Sequence, residues 1–219
     1  MKAGEIKKFE VFVLQLCTGN IIDAIDGSNP PNLIQIKSII DQLFDGLKQL
    51  KNANAVHNDL KPRNILYDRM NDGRTYKVYI ADFGQCGKTG GTSGWTAPVF
   101  HRPRSFRDDI YSIGLICLRL LCKSQQQASE QNKMLFKCLR NNFIKNEHQN
   151  QPWLVNFRGL PQIKFVYELI NLKNETLTLE MAIEKWSEIK QNVKFIDKQT
   201  LLDLEVPETY LTIQYESIR

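Results

Sequence analysis

Asp59, Lys61, Asn64 and Asp82 put two carboxylates, an ammonium and an amide into one short stretch of chain. Carboxylate and amide oxygens are hard donors of the kind magnesium takes, and an ammonium beside them suits phosphate. The set reads as a magnesium–phosphate site. Two apolar runs, Asn64-Ile65-Leu66-Tyr67 and Lys77-Val78-Tyr79-Ile80, flank the turn signal Asn71-Asp72-Gly73. Asn64 then opens one strand of a hairpin and Asp82 follows the other, which brings them close in space. A plainer alternative is two unrelated polar loops in which Asp and Asn are turn residues.

The full stretch is His57-Asn58-Asp59-Leu60-Lys61-Pro62-Arg63-Asn64, followed by Asp82-Phe83-Gly84. In order and spacing it resembles the His-Arg-Asp-Leu-x-x-x-Asn catalytic loop and the Asp-Phe-Gly metal loop of eukaryotic-type protein kinases. The resemblance implies phosphoryl transfer, in which the protein mainly positions groups and stabilises charge. It implies that Asp59 accepts or orients the proton of the attacking hydroxyl and that Lys61 neutralises the transferred phosphoryl group. Asn64 and Asp82 are implied as magnesium ligands, with ATP and Mg2+ as the cofactors. A lysine at position 61 resembles the Ser/Thr kinases, and Thr92 matches the threonine that packs on Asp59 and Lys61 there. His57 is implied to support the turn below Asp82.

Several elements must hold these residues. Phe9 to Leu16 is β-branched and aromatic and predicts a strand, broken by Cys17-Thr18-Gly19-Asn20. Ile21 to Ile25 predicts a short turn or helix. In the kinase resemblance this is the strand leading to the hinge, with the backbone at Gln15 to Cys17 holding the adenine ring. Ser28-Asn29-Pro30-Pro31-Asn32 is a stop and restart before a helix. From Leu33 the apolar residues fall at Ile36, Ile39, Ile40, Leu43, Phe44, Leu47 and Leu50, one helical face that ends near Asn52-Ala53-Asn54. Ser105 to Cys122 is apolar almost all round, as a buried helix is. It resembles the central helix of the kinase C-terminal lobe, with Asp109 as the acid that accepts backbone hydrogen bonds from the catalytic loop. Met134 to Phe143, Ile163 to Leu172 and Leu179 to Ile189 predict further helices, and Gln125 to Asn132 a polar loop.

Gly87-Lys88-Thr89 invites a phosphate-loop reading, but Asp82 stands where that pattern needs a glycine. The 85–98 stretch instead resembles a short activation segment ending in Gly94-Trp95-Thr96-Ala97-Pro98. Val99 replaces the family's glutamate, and the late helix near Leu179 has no arginine to pair with one. Asn58 replaces the arginine that receives an activation-loop phosphate, so no such switch is expected. Asp82 to Cys86 and Gly94 to Pro98 look most like the kinase domain of the unfolded-protein-response sensors.

The resemblance covers residues 9 to 190 and takes in the C-terminal lobe. No glycine-rich loop, Val-Ala-Ile-Lys lysine or helix-C glutamate precedes it. The expected fold is α+β and mainly helical, a protein-kinase-like C-terminal lobe with a few short strands. The expected division is 1–27 for the end of the N-terminal lobe, 28–190 for the C-terminal lobe and 191–219 for an extension. Two functions follow as expectations: a Ser/Thr protein kinase acting on a protein substrate, with the chain as given expected to bind ATP weakly and transfer phosphate slowly or not at all, or a lobe-only pseudokinase that serves as a binding module.

Composition narrows the field. The chain has 219 residues, formal net charge +5 and 42% hydrophobic residues, which suits one globular domain. Lys and Arg form no dense cluster, so no nucleic-acid partner is expected. Cys17, Cys86, Cys117, Cys122 and Cys138 contain no Cys-x-x-Cys and have mostly apolar neighbours, which predicts reduced thiols in an intracellular, cytoplasmic setting. The run from Ile110 to Cys122 is too short for a bilayer and holds Arg119, so no membrane-spanning segment is expected.

Overall fold

Helix formation in this chain begins at side-chain caps. The computed structural model describes residues 14–98, 104–122, 133, 135–137, 139–141, 159–197, 200 and 203. Helix α1 (Ile21–Asp26) starts where the Asn20 side chain accepts the Ile22 and Asp23 amides. Helix α2 (Leu33–Asn52) starts on a reciprocal cap: Asn32 accepts the Gln35 N–H at 3.0 Å and Gln35 Oε1 accepts the Asn32 N–H at 2.7 Å. Such a cap satisfies donors that the first helical turn leaves open. All seven apolar residues of the expected stripe, Ile36 through Leu50, are buried.

Strands β2 (Ile65–Arg69) and β3 (Tyr76–Ile80) form the expected antiparallel hairpin, in register Ile65↔Ile80 and Tyr67↔Val78. Asp72 closes its turn by accepting the Arg74 and Thr75 amides, each at 2.8 Å, while Gly73 takes φ 63°. A positive φ of this kind is cheap for glycine and costly for a side chain. A two-residue strand β1 (Gly19–Asn20) pairs antiparallel with β2, giving the order β1-β2-β3. The outer edge of β3 meets α2 through one side chain. Gln42 donates to Tyr76 O at 2.8 Å and accepts the Val78 N–H at 2.9 Å. That amide stands in for a further strand and blunts the edge.

Helix α3 (Phe106–Leu121) runs through the core, and every residue from Asp108 to Leu121 is buried. Gly114 lets it approach helix α4 (Pro161–Ile170). A Cβ there would lie 2.8 Å from Leu169 Cβ and from Ile170 Cγ2. Arg119 forms a buried ion pair with Asp26, which ties α3 to α1. Helix α5 (Leu179–Ile189) is capped by Thr178 and buries Trp186, whose Nε1 donates to Asp41 on α2 at 2.7 Å. Lys133, Leu135–Lys137 and Leu139–Asn141 are helical, as expected for that stretch.

The sequence expectation differs from the structure at one strand. Leu14 to Leu16 form no strand, and Leu14 and Leu16 are largely exposed. The backbone ladder is replaced there by side-chain tethers to Asp68. Gln15 Nε2 donates to Asp68 Oδ2 at 2.8 Å, and the Thr18 N–H donates to Asp68 Oδ1 at 3.0 Å. The strand pairing falls on Gly19 and Asn20, where a break was expected. Residues 9–13, Val99 and the 125–132 loop lie outside the described residues. Among the described residues no helix is long and apolar enough to cross a membrane.

Candidate active site

The site is built from the turn after α2, the start of β2 and the turn after β3. A short 3-10 turn, Pro62–Asn64, carries the chain from Lys61 into β2, and its proline preorganises the first position. The hairpin then closes the distance. The Ala81 N–H donates to Asn64 O at 2.9 Å, so the residue before Asp82 lies against Asn64.

Three of the predicted residues, with Thr92, form one connected polar cluster. Lys61 Nζ donates to Asp59 Oδ2 at 2.6 Å and to Thr92 Oγ1 at 2.8 Å. Thr92 Oγ1 in turn donates to Asp59 Oδ1 at 2.7 Å. Asn64 Nδ2 donates to Asp59 O at 2.9 Å and reaches Asp59 Oδ2 at 3.3 Å. Asp59 and Asn64 are buried and Lys61 is half-buried. Burial pushes the Asp59 carboxyl up, but hydrogen bonds from Lys61 and Thr92, together with the Lys61 charge, outweigh it. The net shift is below the ordinary aspartate value. Asp59 is thus held ionised with both oxygens engaged.

Asp82 is exposed and left-handed, with φ 64° and ψ 68°. Its Oδ1 accepts the Gly84 N–H at 3.4 Å, and a 3-10 turn, Phe83–Gln85, follows. The hairpin brings Asp82 beside Asn64 through the backbone, while its carboxylate stays open to solvent. Gln15 and Cys17 are not in the polar cluster. They lie along the hairpin, where Gln15 binds Asp68 and comes within 3.5 Å of Tyr79 Oη. Burial, then the Asp68 carboxylate, raises the Cys17 thiol above its ordinary pKa.

The loop beneath is fastened to α3 by one carboxylate. Asp109 Oδ2 accepts the His57 N–H at 2.7 Å and Oδ1 accepts the Asn58 N–H at 3.0 Å. His57 Nε2 lies 3.0 Å from Ala81 O, and its ring packs on Phe83 with centroids 5.1 Å apart. His57 therefore supports the turn below Asp82, as expected. Burial raises the Asp109 carboxyl, partly offset by those two N–H bonds. With the folded value raised, the proton-linked part of its contribution to stability is present at acid pH and is lost as pH rises through that value, while its role as acceptor for the two amides remains. Asp109→Ala is expected to lower stability by about 2–6 kcal/mol, because two buried amides at ~1–3 kcal/mol each lose their acceptor. A denaturant midpoint that falls at constant slope checks this; an unchanged midpoint would show that the amides find other acceptors.

The donor set fits magnesium. Asn64 and Asp82 supply hard oxygens from an amide and a carboxylate, and magnesium commonly takes one or two protein ligands and completes its shell with water and phosphate. Among the described residues no group of three or more His, Cys, Asp or Glu side chains could hold a metal without such partners.

Sequence reasoning missed the side-chain role of Asn58, whose amide reaches Gln85 O at 3.2 Å and Lys88 O at 2.9 Å. The available signal was an amide residue at a turn, which points equally to a local cap.

Comparison with known proteins shows the family. The family described as the protein kinase domain matches residues 3–194. The Caenorhabditis elegans serine/threonine-protein kinase/endoribonuclease ire-1 is 30% identical over 128 residues, covering 50% of this chain and 13% of that protein. Calcium/calmodulin-dependent protein kinase type 1 of the same organism is 30% identical over 155 residues, 65% of this chain and 42% of that protein. The Arabidopsis thaliana CDPK-related kinase 4 is 31% identical over 155 residues, 64% and 25% respectively. The chain spans less than half the length of each of these relatives. With the family match running across most of its length, this chain belongs to the protein kinase family.

Proposed function

We propose that this chain carries out serine/threonine protein phosphorylation, moving the γ-phosphoryl group of ATP to a hydroxyl of a protein substrate. The observation that carries the reading is the closed Asp59–Lys61–Thr92 cluster, with Asn64 hooked to the same aspartate. Asp59 is the group that accepts the substrate hydroxyl. A carboxylate held ionised is a weak base, so it orients the hydroxyl and takes its proton late, as negative charge leaves the attacking oxygen. Lys61 sits 2.6 Å from that carboxylate and neutralises the phosphoryl oxygens as they pass. Thr92 holds both, so the activation segment and the catalytic loop are set in one geometry.

Asn64 and Asp82 would hold magnesium, which would offset the negative charge of the nucleotide's phosphates. The adenine ring would lie against the backbone from Gln15 to Cys17, which Asp68 tethers beside the hairpin. The serine/threonine specificity rests on Lys61 and Thr92 and on relatives whose names state that class.

The test is transfer of labelled γ-phosphate from MgATP to serine- and threonine-containing proteins by the purified chain. Label on serine or threonine in the product supports the reading. Retained MgATP binding with no transfer at saturating nucleotide would overturn it in favour of a binding module.

A further inference from the structure

Three consecutive catalytic-loop residues each grip a different point of the segment that follows β3. Val56 O accepts from Cys86 Sγ at 3.0 Å. The His57 ring packs on Phe83, and its Nε2 meets Ala81 O. Asn58 Nδ2 donates to Gln85 O and Lys88 O, 27 and 30 residues further along. Asn58 O also lies against the segment at Gly91. A Cβ on Gly91 would lie 2.8 Å from that oxygen and 2.6 Å from Thr96 Oγ1. Thr92 comes next, already bonded to Asp59 and Lys61.

Asn58 is suited to this task. It has φ 67°, a left-handed conformation that asparagine tolerates better than most residues. It is 2% exposed, and its Oδ1 is buried without a hydrogen-bond partner among the described residues. Its side chain is therefore held by its donors alone. The partners are backbone carbonyls far along the chain, so this is no local turn bond, and a carbonyl cannot be switched by modification.

We propose that Asn58 is a positioning residue that clamps residues 85–88 to the catalytic loop. It thereby delivers Thr92 to Asp59 and Lys61 without any covalent modification of the segment. The clamp rests on the kinase reading for its catalytic meaning and on the geometry alone for its existence. Thr92 is reached only after the chain has turned at Gly87 (φ 71°) and Gly91 (φ 141°). A segment with two such turns is loose unless something fixes it, and Asn58 does so at the Gln85 carbonyl before Gly87 and the Lys88 carbonyl between the two glycines.

Hydrogen exchange and kinetics on chain shown by intact mass to be unphosphorylated test the clamp. Asn58→Gly removes the side chain at no cost in φ. Asn58→Asp keeps its shape but sets a carboxylate against two carbonyl oxygens. Both variants are expected to raise exchange of the 85–92 amides on the order of tenfold, the effect of losing buried hydrogen bonds of ordinary net strength. Amides of α2 and α3 keep wild-type protection, and kcat falls with KM for MgATP unchanged. Wild-type protection of 85–92 in both variants overturns the clamp, as does a loss shared equally by α2. An unmodified wild-type chain whose 85–92 amides already exchange freely overturns it too. If the wild-type chain transfers no phosphate, the functional reading fails while the exchange result still decides the clamp.

Discussion

Asp59→Asn is expected to cut phosphate transfer by about 10²–10⁴-fold, the range for loss of a positioned proton acceptor. The geometry makes the effect larger than one lost charge. Asp59 Oδ2 receives Lys61 at 2.6 Å and Oδ1 receives Thr92 at 2.7 Å. An amide nitrogen in either place faces a donor where it needs an acceptor, so Lys61 or Thr92 must also move. MgATP binding should persist, because Asn64 and Asp82 keep their oxygens, and the loss should appear in kcat. A variant that retains the wild-type rate would remove Asp59 from the mechanism. The wild type has a pH signature as well. The folded pKa of Asp59 is lowered, so its ion pair contributes stability above the ordinary carboxylate range of about 3.9 and loses it as pH falls through the folded value. The acid limb of the rate profile should accordingly begin below that range. A limb beginning near neutral pH would belong to another group.

The sequence exposed this cluster because three of its members lie within six residues, Asp59 to Asn64, and a single turn of chain sets their mutual distances. Helices α2 and α3 were legible for a similar reason. The apolar stripe from Ile36 to Leu50 and the nearly all-apolar run from Ile110 to Cys122 are local patterns that need no distant partner to be read. What stayed hidden depends on partners distant in the chain. Gln42 reads as one more polar residue on a helix, yet it serves the edge of β3 through Tyr76 and Val78. Asn58 reads as a missing arginine, and its role needs carbonyls 27 and 30 residues away. The run to Leu16 has strand composition, but β-propensity says only that a residue suits a pleated surface and not that a partner is present. At Gln15 and Thr18 the partner is the Asp68 side chain, which ends any ladder.

Asp82→Ala is expected to abolish the stabilisation that magnesium and nucleotide together confer. For a ligand at a hundred times its Kd that stabilisation is about 2.7 kcal/mol, several degrees in Tm for a chain of this size. The case rests on what Asp82 does not do for the fold. It is exposed, it has no ion pair among the described residues, and its one described hydrogen bond is a long 3.4 Å contact to Gly84 N. It sits at φ 64°, a left-handed conformation that Asp and Asn accept more readily than other L-residues, with its side chain bonded locally to Gly84 N–H. The unliganded variant should melt within a few degrees of the wild type, since little is lost with the side chain. Asp82→Asn controls for backbone strain, because asparagine accepts the left-handed region. It should bind MgATP weakly through its remaining oxygen, between the wild type and the alanine variant. Chelating magnesium should collapse the wild-type shift toward that of Asp82→Ala. A nucleotide-induced shift in Asp82→Ala as large as in the wild type would show that this carboxylate holds no metal. The phosphates would then have to be held by Lys61 and the backbone alone.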